Sequence, residues 1–270
     1  MTLRAGCLGL LLASSLASAQ DTRVQYLANE GVMVKQGDTT ILFDPLFDNG
    51  FGQYQLVPDD MRAAIFAGEP PFDGVDAVFV SHHHGDHFSA EDMLRLLRAQ
   101  ASIHLYAPAQ ATAAVRELAS ESDQAALERM TGLDLEYGDE PVIVARDGLT
   151  IAAAFVPHAG WPTRRTDVQN IAFRVSLEDG STVLHLGDAD ARLVHYEADE
   201  EYWESETIDL ALPPYWYFGS EDGREIMEFR LDVIHAIGIH VPMQLADPAN
   251  RPDELAGVDL FTQPGEGRRF

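Results

Sequence analysis

The segment Ser81-His82-His83-His84-Gly85-Asp86-His87 sets imidazoles at His82, His84 and His87 and a carboxylate at Asp86 into one short stretch of chain. Neutral imidazole and ionised carboxylate are donors that a borderline-soft divalent cation such as zinc accepts, at about 2.0–2.2 Å per bond. Read as H-x-H-x-D-H, the stretch follows an apolar run, Val75 to Val80, with the character of a buried strand. It precedes a helix start in which Ser89 is followed three residues on by Asp92, a capping-box pattern. The motif therefore belongs at the carboxyl end of a strand, where open α/β sheets bind ligands. Residues two apart on extended backbone point the same way, so His82 and His84 can approach one ion together. A sharp turn at Gly85 then lets Asp86 and His87 face a second ion, while His83 points opposite its neighbours.

Two ions held by one short motif are under-coordinated, so further ligands are expected at other strand ends. His158 in Val156-Pro157-His158, Asp188 in His185-Leu186-Gly187-Asp188 and His240 in Gly238-Ile239-His240-Val241-Pro242 each stand where a β-rich run stops. A carboxylate such as Asp188 can bridge two cations through its two oxygens, at the ~3.5–4 Å separation of two-metal hydrolytic sites. His235 and Gln244 rival His240 for the last position, although His235 also reads as the cation closing a helix. His104 and His185 on strands, and His195 on a helix, read as satisfied imidazoles or as partners of ligands. Asp44 either orients a ligand imidazole or turns the chain before Pro45.

The elements that must position these residues follow from periodicity. Val24 to Leu27, Gly31 to Lys35 and Thr39 to Phe43 read as an antiparallel meander. Pro45 to Asp73 is a long segment with Phe47, Phe51, Tyr54, Phe66 and Phe72, either a lid or a cover for the core, with a short helix around Pro58 to Ala67. Helices are expected at Ala90 to Gln100, Gln110 to Leu118 and Asp123 to Met130, alternating with strands at Ile103 to Tyr106, Val142 to Ala145 and Leu149 to Val156. Asn170 to Leu177 and Thr182 to Leu186 form a hairpin. Ile208 to Leu212 and Ala236 to Val241 are the last strands, separated by a helix near Glu221 to Ile234. Such mixing over the whole length predicts two packed mixed sheets with helices outside.

At 270 residues and 46% apolar content the chain can bury a large core. Its formal charge of −26, from 18 basic and 44 acidic residues, disfavours polyanions, and Arg164-Arg165 and Arg268-Arg269 are the compact basic pairs, so a nucleic-acid partner is excluded in favour of a small molecule. Arg4, the apolar stretch Ala5 to Ala17 and Ala17-Ser18-Ala19 have the form of an export signal cleaved after Ala19, leaving a single domain over 20–270 in the periplasm or secreted. The stretch is shorter than the ~20 residues of a membrane span, so no integral span is expected. Cys7, the chain's one cysteine, would leave with the signal, so any metal must be held by nitrogen and oxygen.

With His82, His84, Asp86, His87, His158 and Asp188 in this order, the chain resembles the metallo-β-lactamase-fold hydrolase superfamily over nearly its whole mature length. Leu27-Ala28-Asn29-Glu30-Gly31 and Ile41-Leu42-Phe43-Asp44-Pro45 look like the opening strands of its lactonase-like branch. The resemblance implies an α/β fold, a four-layer αββα sandwich of two mixed β-sheets with outer helices. It implies two Zn2+, with Mn2+ or Fe2+ as substitutes: one held by His82, His84 and His158, the other by Asp86, His87 and a terminal His, with Asp188 between. The branch often carries that last His just after Pro-Met, whereas here Pro242-Met243 is followed by Gln244, so the role passes to His240 or is lost. The bridging Asp and the lack of Cys argue against a true β-lactamase. The expected chemistry is hydrolysis by a metal-activated water, with Asp86 orienting it and moving a proton. Trp161, Asn170, Tyr215 and Tyr217 are expected to line an apolar pocket for an ester, lactone or amide, with Tyr215 or Tyr217 donating to an oxyanion, unless the run Pro213 to Phe218 is a core plug. Phosphodiester cleavage with Arg164-Arg165 as a clamp, an iron oxidoreductase and a non-catalytic binding protein are the rival readings.

Overall fold

Alternating side chains and tight turns build the first three strands into the expected meander. In the computed structural model, which describes residues 22–197 and 199–270, these are β1 (Arg23–Ala28), β2 (Gly31–Gln36) and β3 (Thr39–Phe43). On β3, Ile41 and Phe43 point to one face and Leu42 to the other, and both faces are buried. The chain then continues through α1 (Asp59–Ala67), β4 (Ala77–Phe79), α2 (Ala90–Ala99), β5 (His104–Pro108), α3 (Ala109–Leu118) and β6 (Met130–Leu133), and β3 to β6 run parallel. The Ser89 hydroxyl accepts the backbone N–H of Asp92, the capping contact expected at the start of α2. The export signal expected over 1–19 lies outside the described residues.

The second half repeats the scheme. β7 (Val142–Arg146), β8 (Leu149–Phe155), β9 (Ile171–Ser176) and β10 (Thr182–His185) are antiparallel, and β11 (Ile208–Leu212) and β12 (Val233–Ala236) add in parallel. β13 (Gly267–Arg269) returns to pair with β1. The result is a seven-stranded sheet, β13-β1-β2-β3-β4-β5-β6, and a six-stranded sheet, β12-β11-β10-β9-β8-β7. Tyr26, Phe43, Phe79, Phe173 and Leu212 pack between the sheets. Leu42, Val78, Leu96 and Val115 fill the layer under α1 to α3, and Leu184, Tyr196, Trp203 and Tyr217 fill the layer outside the second sheet. This is the four-layer αββα sandwich, and none of its described helices is long and apolar enough to cross a membrane.

Several local expectations are corrected. The helix expected to Met130 shrinks to Gln124–Leu127, because Met130 begins β6, whose pairing with β5 is a non-local gain that periodicity does not show. The helix expected near Glu221 to Ile234 ends at Arg230 in a wide turn, with the N–H of Leu231 donating to the carbonyl of Ile226. The strand expected at Ala236 to Val241 lies instead at Val233–Ala236, since Ile208 and Leu210 pair with Val233 and His235. His235 therefore stands on a strand, opposite Leu210, and does not close a helix.

Candidate metal centre

The loop after β4 carries the motif. The carbonyl of His84 accepts the N–H groups of His87 and Phe88 at 3.0 and 2.9 Å, which folds Asp86 and His87 away from His82 and His84. Gly85 serves this loop through closeness rather than through a left-handed turn: its carbonyl accepts the N–H of Asn49, and a Cβ there would lie 3.3 Å from the Cβ of Asn49. His158 and Asp188 arrive from the ends of β8 and β10, and the two loops are joined by an antiparallel bridge between His158 and Ala189. His240 follows β12 with a left-handed φ of 57°, a strained setting for a side chain with a Cβ, and its N–H is held by the carbonyl of Asn29 at 2.9 Å.

The side chains form two clusters. His82 Nε2 and His158 Nε2 lie 3.0 and 3.2 Å from His84 Nδ1. His240 Nε2 lies 3.4 Å from Asp86 Oδ2, and His87 Nε2 lies 3.8 Å from the same oxygen. Asp188 joins the clusters: Oδ2 is 3.1 Å from His158 Nε2, while Oδ1 is 3.1 Å from His240 Nε2 and 3.4 Å from His87 Nε2. Donors bound to one zinc at ~2.0–2.1 Å in a tetrahedron stand about 3.3 Å apart, close to these separations. His87 Nε2, His240 Nε2 and Asp188 Oδ1 are buried and make no hydrogen bond. Buried polar atoms are rarely left so, and these three face one another, which fits a cation at their common focus.

Outer contacts decide which nitrogen faces inward. Asp44 Oδ2 lies 2.9 Å from His87 Nδ1, and the Asp44 carboxylate also accepts the Ser81 N–H and hydroxyl at 2.7 and 2.6 Å. The Ser81 hydroxyl is 3.1 Å from His82 Nδ1, and the Ala159 carbonyl is 3.0 Å from His158 Nδ1. In these three imidazoles the far nitrogen is engaged, leaving Nε2 for a metal, whereas His84 turns Nδ1 to its cluster and His240 Nδ1 has no hydrogen-bond partner. Both sequence readings of Asp44 hold, because it also turns the chain with φ 39° before Pro45. Asn29 donates to the Asp86 carbonyl at 2.9 Å, so the β1–β2 turn grips both Asp86 and His240.

Burial and charge set the protonation states. Burial and then the neighbouring His158 push the His84 imidazole down to about 4. Burial and then His87 push His82 well below the ordinary imidazole range. Burial opposes ionisation of Asp188, yet His240 and His87 overcome it and hold the carboxyl well below its usual range. Burial likewise opposes a charged His87, and Asp188 overcomes it, raising that imidazole. Glu30, fully buried with neither carboxylate oxygen hydrogen-bonded, is raised well above the usual range, by burial first, and lies 3.7 Å from His87 Nδ1 and 3.6 Å from His185 Nε2. Sequence reasoning missed Glu30, Asn29 and Ser81 as supports. A charged residue in a tight turn between two buried strands was the available signal for Glu30.

A cleft of about 520 Å³ opens over His84, Asp86, Asp188 and His240, walled by Phe51, Tyr54, Arg165 and Trp216. The long Pro45 to Asp73 segment therefore does both things the sequence allowed: Phe51 and Tyr54 wall the cleft, while Phe47, Phe66 and Phe72 are buried in the core. The expected pocket residues are corrected. Asn170 is fully buried, and its amide donates to the Val156 and Leu186 carbonyls while its oxygen accepts the Asp188 N–H at 3.0 Å, so it staples the strand ends that carry the ligands. Tyr217 is fully buried, accepts from or donates to the Tyr196 hydroxyl at 2.6 Å and reaches the Asp190 carbonyl, as the core-plug reading has it. Tyr215 packs with Val241, Leu255 and Leu260. Trp161 lines a separate cleft with Tyr137 and Phe155. Of the rivals for the last ligand, His240 is the one brought to the cluster. Gln244 is exposed, and its carbonyl accepts the Asn250 amide.

The model of the beta-lactamase superfamily domain matches residues 39–239, and the chain belongs to that superfamily. Among solved structures it is similar to Igni18, a novel metallo hydrolase from the hyperthermophilic archaeon Ignicoccus hospitalis, at 16% identity over 93% of this chain and 98% of that one, TM-score 0.58. A possible metal-dependent hydrolase from Veillonella parvula is similar at 16% identity over 94% of this chain and all (100%) of that one, TM-score 0.57. CmlA, a diiron β-hydroxylase from Streptomyces venezuelae, shares 14% identity over 94% of this chain and 54% of its own, TM-score 0.53. At such identities these likenesses establish the fold. No curated protein matches the chain. Family and donor clusters together place the chain in a superfamily of metallo-hydrolases, with histidine and aspartate groups set to hold divalent metal.

Proposed function

We propose that the chain is an exported binuclear metal-dependent hydrolase acting on an ester, lactone or amide. The observation that carries this reading is the Asp188 carboxylate, whose two oxygens face two different histidine clusters. His82, His84 and His158 would hold one ion, Asp86, His87 and His240 the other, and Asp188 would serve both. Bound divalent ions supply Lewis acidity and a water acidified from 15.7 toward ~7. Asp86, kept ionised against burial by His240 and His87, would accept a proton from that water on the carboxylate oxygen left free of metal and deliver it to the leaving group. Burial keeps the Tyr54 phenol protonated, and from the cleft wall its hydroxyl donates to an oxygen that gains charge during the reaction. Phe51 and Trp216 keep water from the rest of the substrate.

Arg165 favours a second reading. It is the cation lining the cleft, anchored to the Ala159 carbonyl at 3.2 Å, and it supports phosphodiester cleavage by the same metals. Zinc is the proposed metal; the nitrogen and oxygen donor set also suits manganese or iron. Elemental analysis of the purified protein tests the assignment. Two ions per chain are expected, falling toward one in His240→Ala and unchanged in Gln244→Ala. A screen of lactones, esters and phosphodiesters with Arg165→Gln separates the two substrate readings, because the variant raises KM for the anionic class alone. One iron per chain, or a loss of metal in Gln244→Ala, would overturn the zinc assignment or the ligand assignment respectively.

A further inference from the structure

The helix-covered face of the first sheet continues past its helices at the β13-β1-β2 edge, and there its residues change character. Antiparallel register places Arg269 opposite Arg23 and Arg23 opposite Lys35, so three cations stand in one row across three neighbouring strands. The next row on that face is Gly267, Gln25 and Met33. Directly opposed side chains point to the same face and stand about 4.5–5.5 Å apart at Cβ, and like charges so placed repel. The side chains of Arg23 and Lys35 have no ion pair or hydrogen bond among the described residues that would relieve this. Lys35 is the only lysine of a chain with 18 basic and 44 acidic residues, so the row runs against the composition.

The two rows line a groove of about 590 Å³, walled on one side by Pro71 and open where Gly267 has no side chain. Met33, only 4% exposed, forms an apolar floor continuous with the core beneath α1 to α3. Arg23 and the β1–β2 turn that grips the metal ligands lie at opposite ends of β1, about 20 Å apart at ~3.3 Å per residue. The groove is therefore separate from the metal centre.

We propose that this groove is a binding site for a small amphipathic anion, its phosphate or carboxylate head held by Arg23, Lys35 and Arg269 and its apolar body laid on Met33 and Pro71. The anion offsets the repulsion between Arg23 and Lys35, and the apolar floor gives it a preference over inorganic ions. Guanidinium and ammonium groups make charge-assisted bonds to such heads, and the stems of Arg and Lys cover apolar surface beside them.

Since Lys35 is the only lysine, biosynthetic labelling with ε-13C-lysine gives a single NMR reporter inside the groove. Titration of the labelled, metal-loaded protein with octyl phosphate is expected to shift that signal saturably. Arg23→Gln weakens the binding by about tenfold, the loss of one charge-assisted contact. Inorganic phosphate binds more weakly than octyl phosphate, octyltrimethylammonium leaves the signal unmoved, and His84→Ala in the metal centre leaves the titration as in the wild type. The proposal is overturned by any of three results: no saturable shift, an unchanged affinity in Arg23→Gln, or a titration abolished by His84→Ala. Inorganic phosphate binding as tightly as octyl phosphate would overturn the amphipathic assignment.

Discussion

Asp44 illustrates how one residue can carry a metal site without touching the metal. Its carboxylate holds His87 Nδ1 at 2.9 Å and the Ser81 N–H at 2.7 Å, and so fixes both the imidazole and the first residue of the motif loop. Loss of such an outer partner typically costs 10–100-fold in metal affinity. Asp44→Ala should weaken metal binding at the cluster that includes His87 by about that factor, measured by competition with a chelator, and an unchanged affinity would reduce Asp44 to a turn residue. The imidazoles give a second prediction. His84 is pushed down to about 4, below its ordinary value, so the metal-free fold favours its neutral form. Its contribution to stability is present above about pH 6.5 and is lost as pH falls through about 4. The urea midpoint of the metal-free protein should decline over that window, and His84→Gln should flatten the decline. The convergence of these candidate ligands was legible because H-x-H-x-D-H is local and His158 and Asp188 end β-rich runs. The choice of His240 over His235 and Gln244 was not, because a strained φ of 57° and a bond to the Asn29 carbonyl are facts of the fold.

At the scale of elements, the ligands are held by contacts between strand ends. Gly187 shows how little room there is. Its φ is +57°, and a Cβ would lie 2.5 Å from Asn170 Oδ1 and 2.6 Å from the Ser81 Cβ. Those two neighbours are the residue that holds the Asp188 N–H and the residue that begins the motif loop. Gly187→Ala combines left-handed strain with overpacking and should cost about 2–4 kcal/mol in urea unfolding, with weaker metal binding. A loss under about 0.5 kcal/mol, the usual size for surface changes, would mean the loop relaxes freely. Strands with their own alternation, β1 to β3 and β7 to β10, were readable in the sequence. β6, β12 and β13 were not, since they are short and gain their hydrogen bonds from partners distant in sequence. The aromatic run Pro213 to Phe218 failed for a related reason. Periodicity says that Tyr217 and Trp216 face different ways, but not that Trp216 faces the cleft and Tyr217 the core.

Across the whole molecule the metal centre joins the two sheets. His82, His84, Asp86 and His87 follow β4 of the first sheet, His158 and Asp188 follow β8 and β10 of the second, and His240 follows β12 while gripped by the β1–β2 turn of the first. Without a cation this seam gathers Asp86, Asp188, Asp44 and Glu30, all buried, in a chain of formal charge −26. Metal should therefore stabilise the fold as a whole, because the unfolded chain cannot assemble these donors. At a free concentration 100 times Kd, one site adds about 2.7 kcal/mol, and for a chain of this size each kcal/mol moves Tm by roughly 2–4 °C. Adding zinc to the metal-free protein should raise Tm by at least about 5 °C, in proportion to the logarithm of zinc once the site is saturated. His84→Ala should remove the share of that rise that belongs to the ion of its own cluster while changing the metal-free Tm much less, since its imidazole is half-buried and its neutral form is already the stable one. Salt provides the control: sodium chloride screens the acidic surface of wild type and variant alike, so a zinc effect that sodium chloride reproduced would be charge screening and not the closing of the seam between the sheets.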